Sequence, residues 1–319
     1  MRKNKPGLIL TTGDPNGIGP EIILKIFSVK SFADKYSLKI AGSKKIFDYY
    51  SDLLNLPEIP EEYFVNVKLP HGFKIIPGKI SSVSGKLSGD SIVLAAENCL
   101  KKISSGMITL PVSKDSLNKG GYRYPGHTEM LTEITKSGET VMILYSEKFS
   151  VALVTGHLPL KNISRKLDGN LIFRKIVTAN NSFVKNFGIK NPKIAVLSLN
   201  PHAGDGGLIG NEELNIINPL IKKMNFMGFN LRGAFSSDAF FANRVYKKFH
   251  LTIAMYHDQG LIPFKMISFG KGVNFTAGLN IIRTSPDHGT AFDIAGTGKA
   301  NPESTIHAIK LAHKLSKRN

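Results

Sequence analysis

The chain of 319 residues has one cysteine, no tryptophan and few acidic side chains. The single cysteine, Cys99, excludes an internal disulfide bond and a zinc site built from cysteines, and its helical spacing with apolar neighbours predicts that it faces the core. Long apolar runs are also lacking. After the basic start, residues 1–6, only Gly7–Leu10 is apolar, which is too short for a signal-peptide core or a membrane span. We therefore expect a soluble, cytoplasmic protein.

The scarcity of acidic residues leaves a formal charge of +18, with 42 lysines and arginines against 24 aspartates and glutamates. Such an excess suggests nucleic-acid binding at first sight. However, the charge is mostly lysine scattered along the chain, without a basic run of five or a basic surface interleaved with aromatics. The pattern indicates a solvated surface whose positive field favours anionic ligands such as phosphates and dinucleotides. No nucleic-acid or membrane partner is expected.

Short β-rich apolar runs alternate with longer helical patterns along the whole chain, which is typical of an α/β protein with a largely parallel sheet. The predicted strands are Leu8–Thr12, Leu38–Ala41, Met107–Val112, Val141–Tyr145, Ser150–Thr155, Lys193–Leu199 and Leu251–Tyr256. The predicted helices are Pro20–Phe27, Ser91–Ser105, Leu171–Phe187, Glu212–Asn225, Asp238–Phe249 and Ser304–Lys317. We expect residues 1–130 and 275–319 to form one α/β lobe, with a second lobe, 131–274, inserted into it.

Three histidines stand directly after three predicted strands. Open α/β sheets bind ligands beyond the carboxyl ends of their strands, and three imidazoles there are the minimal set for a catalytic divalent metal. Any one of them is also typical of an ordinary loop histidine, but their equivalent positions favour a metal site. The candidate ligands are His157, His202 and His257. Asp258, beside His257, is placed to orient a ligand or to handle protons.

Other polar residues gather near the same strand ends. The glycine-dense stretch 200–210 is either a ligand-binding loop or a long turn. Lys265, Asn274 and Arg283 stand near turns, and such cations suit a phosphate or carboxylate. A turn at 125–129 presents His127 and Thr128.

A second glycine motif, Thr12–Glu21, lies between a predicted strand and a predicted helix. It is not the Gly-x-Gly-x-x-Gly dinucleotide fingerprint, and no ribose-binding acid follows in the expected register. A standard Rossmann domain is therefore disfavoured.

Together these stretches resemble the 4-hydroxythreonine-4-phosphate dehydrogenase family of vitamin B6 biosynthesis. The matching segments span nearly the whole chain in family order: Gly13–Glu21, Pro125–Leu131, His157–Leu160, Leu199–Gly204, Tyr256–Leu261 and Arg283–Ala291. Segments 18–21 and 288–296 also resemble isocitrate and isopropylmalate dehydrogenases, in which the latter wraps the cofactor adenosine.

The resemblance implies a two-lobed isocitrate/isopropylmalate dehydrogenase-like αβα fold with an interlobe active-site cleft, in a homodimer whose metal ligands come from both subunits. It carries the metal (zinc, magnesium or cobalt) onto the three histidines. The resemblance also assigns substrate binding to His127, Thr128, Lys265, Asn274 and Arg283. It assigns binding of the NAD or NADP cofactor to His288, Gly289, Thr290 and Ala291. The candidates for proton transfer are Lys265 and Asp258.

The implied reaction oxidises 4-phosphohydroxy-L-threonine at C3 and then decarboxylates it to 3-amino-2-oxopropyl phosphate, on the route to pyridoxal 5′-phosphate. Gly156 and Leu208-Ile209 depart from the family pattern, but neither departure removes a ligand. One alternative is a paralogous dehydrogenase of a four-carbon sugar-acid phosphate, D-erythronate or D-threonate 4-phosphate. Another is a phosphate acyltransferase of related fold, which has no need of three metal-binding histidines.

Overall fold

The computed structural model describes residues 7–318, so the basic start and Asn319 lie outside the described residues. Its strands are β1 (Leu8–Thr11), β2 (Leu38–Ala41), β3 (Phe64–Val65), β4 (Gly106–Ile108), β5 (Val141–Tyr145), β6 (Ser150–Leu153), β7 (Lys193–Leu197), β8 (Asn230–Phe235), β9 (Leu251–Ala254), β10 (Val273–Ala277) and β11 (Arg283–Pro286). Its α-helices are α1 (Gly19–Phe27), α2 (Lys30–Lys35), α3 (Lys44–Leu54), α4 (Ser82–Leu100), α5 (Lys114–Lys119), α6 (His127–Ile134), α7 (Ile163–Lys166), α8 (Gly169–Lys185), α9 (Asn218–Phe226), α10 (Ser237–Ala242), α11 (His257–Ser268) and α12 (Glu303–Ser316). The predicted α/β class is confirmed.

Two compact units make up the chain. The first comprises the chain up to Ser137 together with Leu279–Lys317, and the second comprises Gly138–Gly278 and the last residues from Arg318. The sequence placed the lobe boundaries a few residues earlier, after residues 130 and 274.

The first unit contains a parallel sheet in the order β3-β2-β1-β4-β11. Strand β1 is buried at all four positions, because α4 and α12 pack against it and against β4. An apolar run without alternation is what a strand covered on both faces requires. Cys99 of α4 lies in this core, as predicted, and burial raises the pKa of its thiol to about 12.

The second unit contains strands in the order β10-β5-β6-β9-β7-β8. Strand β5 runs antiparallel to both neighbours, whereas the pairs from β6 to β8 are parallel. Helix α11 packs against β6 and β9, and α8 packs against β5 and β10. The carboxyl ends of β6, β9 and β7 therefore lie side by side at one edge of the sheet.

Within residues 7–318, no helix is both long enough and apolar enough to cross a membrane.

Candidate active site

The three candidate metal histidines follow three neighbouring parallel strands of the second unit. His157 comes after β6, His257 after β9 and His202 after β7. The buried strands set the position of the histidines, because β6 and β9 are buried throughout, β7 is buried from Ile194 onward, and each histidine follows the carboxyl end of its strand.

His157 and His257 lie together. Their ring centroids are 5.6 Å apart, and His257 begins α11. Nδ1 of His257 lies 2.7 Å from Oδ1 of Asp258. A carboxylate only accepts, so Nδ1 donates, and in the neutral imidazole this leaves the lone pair on Nε2. Asp258 thereby orients His257 in the way that carboxylates orient metal-binding histidines.

His202 lies in a strained turn after β7. Five successive residues from His202 to Gly206 have left-handed backbone, with φ of 50° at His202. This conformation is unfavourable for side chains other than glycine. Buried Glu213 holds the entry to the turn: Oε1 accepts from the amides of Leu199 (2.7 Å) and Asn200 (2.9 Å), and Oε2 accepts from Nδ2 of Asn200 (2.8 Å).

The described residues bring together two of the three histidines. His202 instead acts electrostatically on Asp238, whose pKa is lowered mainly by the Ser236 hydroxyl. Across residues 7–318, no group of three or more histidine, cysteine or acidic side chains lies close enough to hold a metal ion. Among the described residues, His157 and His257 therefore lie together, but they do not form a metal-binding group of three with His202.

The other candidate residues of the second unit lie on α11 and β10. Lys265 is exposed, two turns along α11 from His257. Asn274 lies opposite Leu144 of β5, and its Oδ1 is buried without a hydrogen-bond partner.

In the first unit, Arg283 begins β11 and is only 3% exposed. Its Nε and Nη2 donate to the hydroxyl oxygen of Thr109, at 2.9 and 2.6 Å. Burial lowers the pKa of the guanidinium to about 10, opposed by the nearby Glu129 carboxylate. Arg283 therefore stays charged at neutral pH, fixed by a residue at the end of β4.

His127 and Thr128 open α6. Burial, and next the neighbouring Arg283, lower the pKa of His127 to about 3, so the imidazole is neutral at neutral pH. The backbone carbonyl of Leu110 accepts a hydrogen bond from this ring, whereas its Nε2 is buried without a partner. Lys114 contributes a second nearby positive charge.

The candidate cofactor segment, His288–Ala291, begins two residues after the end of β11. Nε2 of His288 is buried without a hydrogen-bond partner, and Ala291 has a left-handed φ of 41°. The carbonyl of Thr290 accepts the amide of Ile18, 3.1 Å away.

Few side chains in the described part of the chain have a buried polar atom without a hydrogen-bond partner: Asp14, Ser116, His127, Asn274, His288 and Thr305. Buried polar groups are normally paired, and a group that is not paired requires an explanation, such as an absent ligand. Half of this set are residues predicted to bind substrate or cofactor. The observation supports ligand binding at His127, Asn274 and His288.

Sequence reasoning missed three residues of these groups: Thr109, Lys114 and Glu213. Thr109 and Lys114 follow β4. They could have been found in the same way as the histidines, by looking for polar residues after the carboxyl ends of strands. Glu213 carries no such signal, because its role depends on a π-helical turn, Glu213–Ile217, that turns the carboxylate toward the loop.

The α/β units, with buried cationic and imidazole groups at their strand ends, are those of an enzyme acting on small anionic molecules. The family model described as "Pyridoxal phosphate biosynthetic protein PdxA" matches residues 33–312, and the chain belongs to this family. It is accordingly an oxidoreductase of the dehydrogenase class.

Named relatives agree with this assignment. The chain is 42% identical to a 4-hydroxythreonine-4-phosphate dehydrogenase of Sulfurihydrogenibium sp., over 97% of this chain and 98% of the relative. It is 35% identical to a D-threonate 4-phosphate dehydrogenase of Pectobacterium atrosepticum, over 97% and 99%. A crystal structure of a 4-hydroxythreonine-4-phosphate dehydrogenase from Klebsiella pneumoniae is similar with a TM-score of 0.88 and 35% identity, over 100% of both chains.

Proposed function

We propose that this protein oxidises 4-phosphohydroxy-L-threonine at C3 with NAD⁺ or NADP⁺ and decarboxylates the product to 3-amino-2-oxopropyl phosphate, in pyridoxal 5′-phosphate biosynthesis. The observation that carries the proposal is that buried Arg283 lies close enough to His127 to lower its pKa, while the Nε2 atom of His127 is buried without a hydrogen-bond partner. A fixed guanidinium beside an open imidazole nitrogen suits a phosphate monoester, because charge-assisted hydrogen bonds to phosphate are short and strong. The names of full-length relatives support the substrate.

Within this proposal, Arg283, His127 and Thr128 bind the phosphate, and Lys114 adds positive charge beside them. Lys265 and Asn274 bind the remaining polar groups of the substrate. Asp258 is engaged in orienting His257, so we assign the proton transfer to Lys265. A bound nicotinamide cofactor would supply the hydride acceptor for the oxidation at C3. Lys265 would then be the residue that takes up the proton of the C3 hydroxyl.

We also infer that His157, His202 and His257 hold a divalent ion: zinc, magnesium or cobalt. The donor set fits, since three imidazoles with Asp258 behind His257 suit such a metal. A divalent ion there would acidify the substrate hydroxyl and polarise the ketone formed from it. The separation of His202 from the other two in one chain is consistent with a site shared between two subunits.

A homodimer is therefore part of the proposal. Helix α11, which begins at His257, exposes Ile262, Met266 and Phe269 by 58, 74 and 87%. Their spacing of four and three residues puts them along one stripe of the helix and just beyond it. Contiguous exposed apolar surface marks interaction sites, and a second copy of the chain would bring its own His202 to the neighbouring edge.

The cofactor assignment rests on the segment after β11. The unpartnered Nε2 of His288 and the backbone of Gly289, Thr290 and Ala291 offer polar groups to the adenosine of NAD⁺ or NADP⁺. This ligand is the expected partner of the chain besides the phosphorylated substrate.

The second candidate substrate, D-threonate 4-phosphate, is favoured by the similarity to the Pectobacterium enzyme. It carries a hydroxyl where hydroxythreonine phosphate carries an amine, so the two differ at one group. We expect kcat/KM to be highest for 4-phosphohydroxy-L-threonine in a panel that includes D-threonate and D-erythronate 4-phosphates, each with NAD⁺ and NADP⁺. A higher value for either sugar-acid phosphate would overturn the assignment.

The phosphate assignment is tested by comparing each substrate with its dephosphorylated analogue in wild type, Arg283→Ala, Arg283→Lys and Lys265→Ala. A charge-assisted hydrogen bond contributes about 1.5–3 kcal/mol to binding. Its loss in Arg283→Ala should therefore lower kcat/KM for the phosphorylated form roughly 10- to 150-fold. Arg283→Lys should recover only part of this loss, because lysine lacks the bidentate fork. An unchanged preference for the phosphorylated form in Arg283→Ala would contradict phosphate binding by this residue.

A further inference from the structure

The glycine motif Thr12–Glu21 is buried at every position. Its glycines allow close packing of the chain on itself. A Cβ at Gly19 would overlap the carbonyl of Thr12, and a Cβ at Gly13, where φ is 74°, would lie 2.8 Å from the carbonyl of Pro111. A ligand therefore cannot reach this motif in the way that it reaches a phosphate-binding loop, and another role must account for it.

The motif contacts the candidate cofactor segment directly. The amide of Ile18 donates to the carbonyl of Thr290, and a Cβ at Gly17 would lie 3.1 Å from the same carbonyl. The close approach at Gly17 fixes Thr290 against the start of α1.

An ion pair between buried Glu21 and half-buried Lys25 holds residues 298–300, further along the chain from the candidate cofactor segment. Oε1 of Glu21, which is fully buried, accepts from Nζ of Lys25 (2.8 Å) and from the amide of Ala300 (2.7 Å), and Oε2 accepts from the amide of Gly298 (3.3 Å). Nζ of Lys25 also donates to the carbonyls of Gly298 and Ala300, both at 2.7 Å. These two side chains, here called the Glu21–Lys25 clamp, thus bind both amides and both carbonyls of one turn.

Asn16 ties a second loop to the same region. Its side chain donates to the carbonyl of Lys79 (2.8 Å) and accepts from the amide of Ile76 (3.0 Å), and its carbonyl accepts from the amide of Gly78 (2.8 Å). Gly78 in turn packs against the backbone of Phe292, because a Cβ added at Gly78 would lie 2.8 Å from the carbonyl oxygen of Phe292. The segment after β11 is therefore held from two sides by one buried motif.

We infer that the Glu21–Lys25 clamp is a positioning device that sets the affinity for the nicotinamide cofactor by holding segment 288–300 in its binding conformation. A binding segment that is already ordered loses less conformational entropy when the ligand arrives. The inference rests on the proposed function, in which residues 288–291 bind the cofactor. It differs from a purely structural role because, within the described residues, the side-chain hydrogen bonds from the clamp reach only Gly298 and Ala300, so its loss should leave substrate and metal binding unchanged.

Lys25→Met tests the clamp, since methionine keeps the aliphatic packing but lacks the ammonium group that donates the three hydrogen bonds. We expect the Kd for NAD⁺ or NADP⁺, measured by equilibrium titration, to rise roughly tenfold, which is the loss of about one charge-assisted hydrogen bond's contribution. Amide hydrogen exchange at 298–300 should be faster without cofactor, and KM for the phosphorylated substrate should not change. Lys25→Arg should restore most of the affinity, and Glu21→Gln should weaken it in the same way as Lys25→Met.

Lys101→Met is the matched control. Lys101 forms an i,i+4 ion pair with Glu97 on α4, but both side chains are exposed, by 66 and 48%. Cofactor affinity and exchange at 298–300 should match wild type.

Wild-type cofactor affinity in Lys25→Met, despite faster exchange at 298–300, would overturn the role of the clamp while leaving the cofactor segment intact. Unchanged exchange at 298–300 would also overturn it. If NAD⁺ and NADP⁺ bind wild type without protecting residues 288–291, the proposed cofactor segment itself is wrong, and the role of the clamp fails with it.

Discussion

At the residue scale, the most informative side chains are polar groups that remain buried at a cost. Taking a guanidinium and an imidazole out of water destabilises the folded chain, because each group loses hydration, and this loss is the largest cause of the lowered pKa of both Arg283 and His127. Such groups persist where they serve a ligand, and perturbed pKa values gather at functional sites for this reason. Because the pKa of His127 is lowered in the folded state, its effect can be measured as a pH dependence of the protein's stability.

His127→Asn should reduce the acid sensitivity of the fold. The pKa of His127 is about 3 in the folded state and about 6.5 in the unfolded state, so between these values the unfolded chain binds a proton that the folded chain does not. Wild-type stability should therefore fall as pH drops below about 6.5, by up to about 1.4 kcal/mol per pH unit from this residue. Thermal unfolding measured at pH 7 and at pH 5 should show a smaller loss of stability between the two pH values in His127→Asn than in wild type.

Exposed His71 provides the control for this comparison. His71→Asn should retain the wild-type acid sensitivity. Equal loss of stability between pH 7 and pH 5 in wild type and His127→Asn would contradict a lowered pKa of His127 in the folded state.

Residue identities in the candidate site were predictable where a side chain follows a strand, but their partners were not. The sequence selected His257 and Asp258 as neighbours, and their contact is local in the chain. In contrast, the bond from Arg283 to Thr109 joins residues 174 positions apart. Such a pairing depends on which strands become neighbours, here β11 and β4, and local patterns do not contain that information.

At the element scale, the seven strands predicted from sequence are all present, whereas β3, β8, β10 and β11 were not predicted. Strand β2 was predicted at its observed bounds, and β6 and β9 at their observed starts. Helix α4, however, begins at Ser82, capped by the Ser81 side chain, nine residues before the predicted start of 91. Glycines 85 and 89 hid its first turns, since glycine disfavours helix. They are required there because α5 and Tyr122 pack directly on the α4 backbone.

Gly85→Ala should therefore destabilise the protein despite the better helix propensity of alanine. A Cβ at position 85 would overlap the backbone of Ser116 in α5. Overpacking of this kind typically costs about 1–3 kcal/mol, which outweighs the roughly 1 kcal/mol that alanine gains in a helix. The midpoint of chemical denaturation should fall in Gly85→Ala.

Gly169 of α8 offers a matched control, because a Cβ there would meet only Ile216, at 3.9 Å. Gly169→Ala should be neutral or slightly stabilising. If both variants unfolded at the same denaturant concentration, tight packing between α4 and α5 would not explain the glycine.

The turn that carries His202 was predicted as a glycine-dense loop, but its left-handed backbone was not. Glu213→Ala should weaken metal retention, because it removes the acceptor of three hydrogen bonds that hold this turn. Loss of a group that orients a metal ligand typically lowers metal affinity 10- to 100-fold. Glu212→Ala, which removes only one bond to Asn200, should have a smaller effect. Equal metal content in dialysed Glu213→Ala and wild type would contradict this role.

At the scale of the whole molecule, the metal, the dimer and stability should be coupled. The described residues of one chain bring His157 and His257 together without His202, and α11 carries exposed apolar residues beside them. If the third ligand comes from a second copy, removing the metal weakens both the fold and the association. A ligand present at 100 times its Kd stabilises the state it binds by about 2.7 kcal/mol.

Chelation with EDTA should thus lower Tm and shift the mass measured by light scattering toward the monomer at low protein concentration. His202→Ala should show the low Tm and the monomer shift without chelator and no further response to EDTA, whereas the exposed His71→Asn should behave as wild type. An unchanged mass and Tm on chelation of the metal-loaded wild type would rule out a metal site shared between subunits.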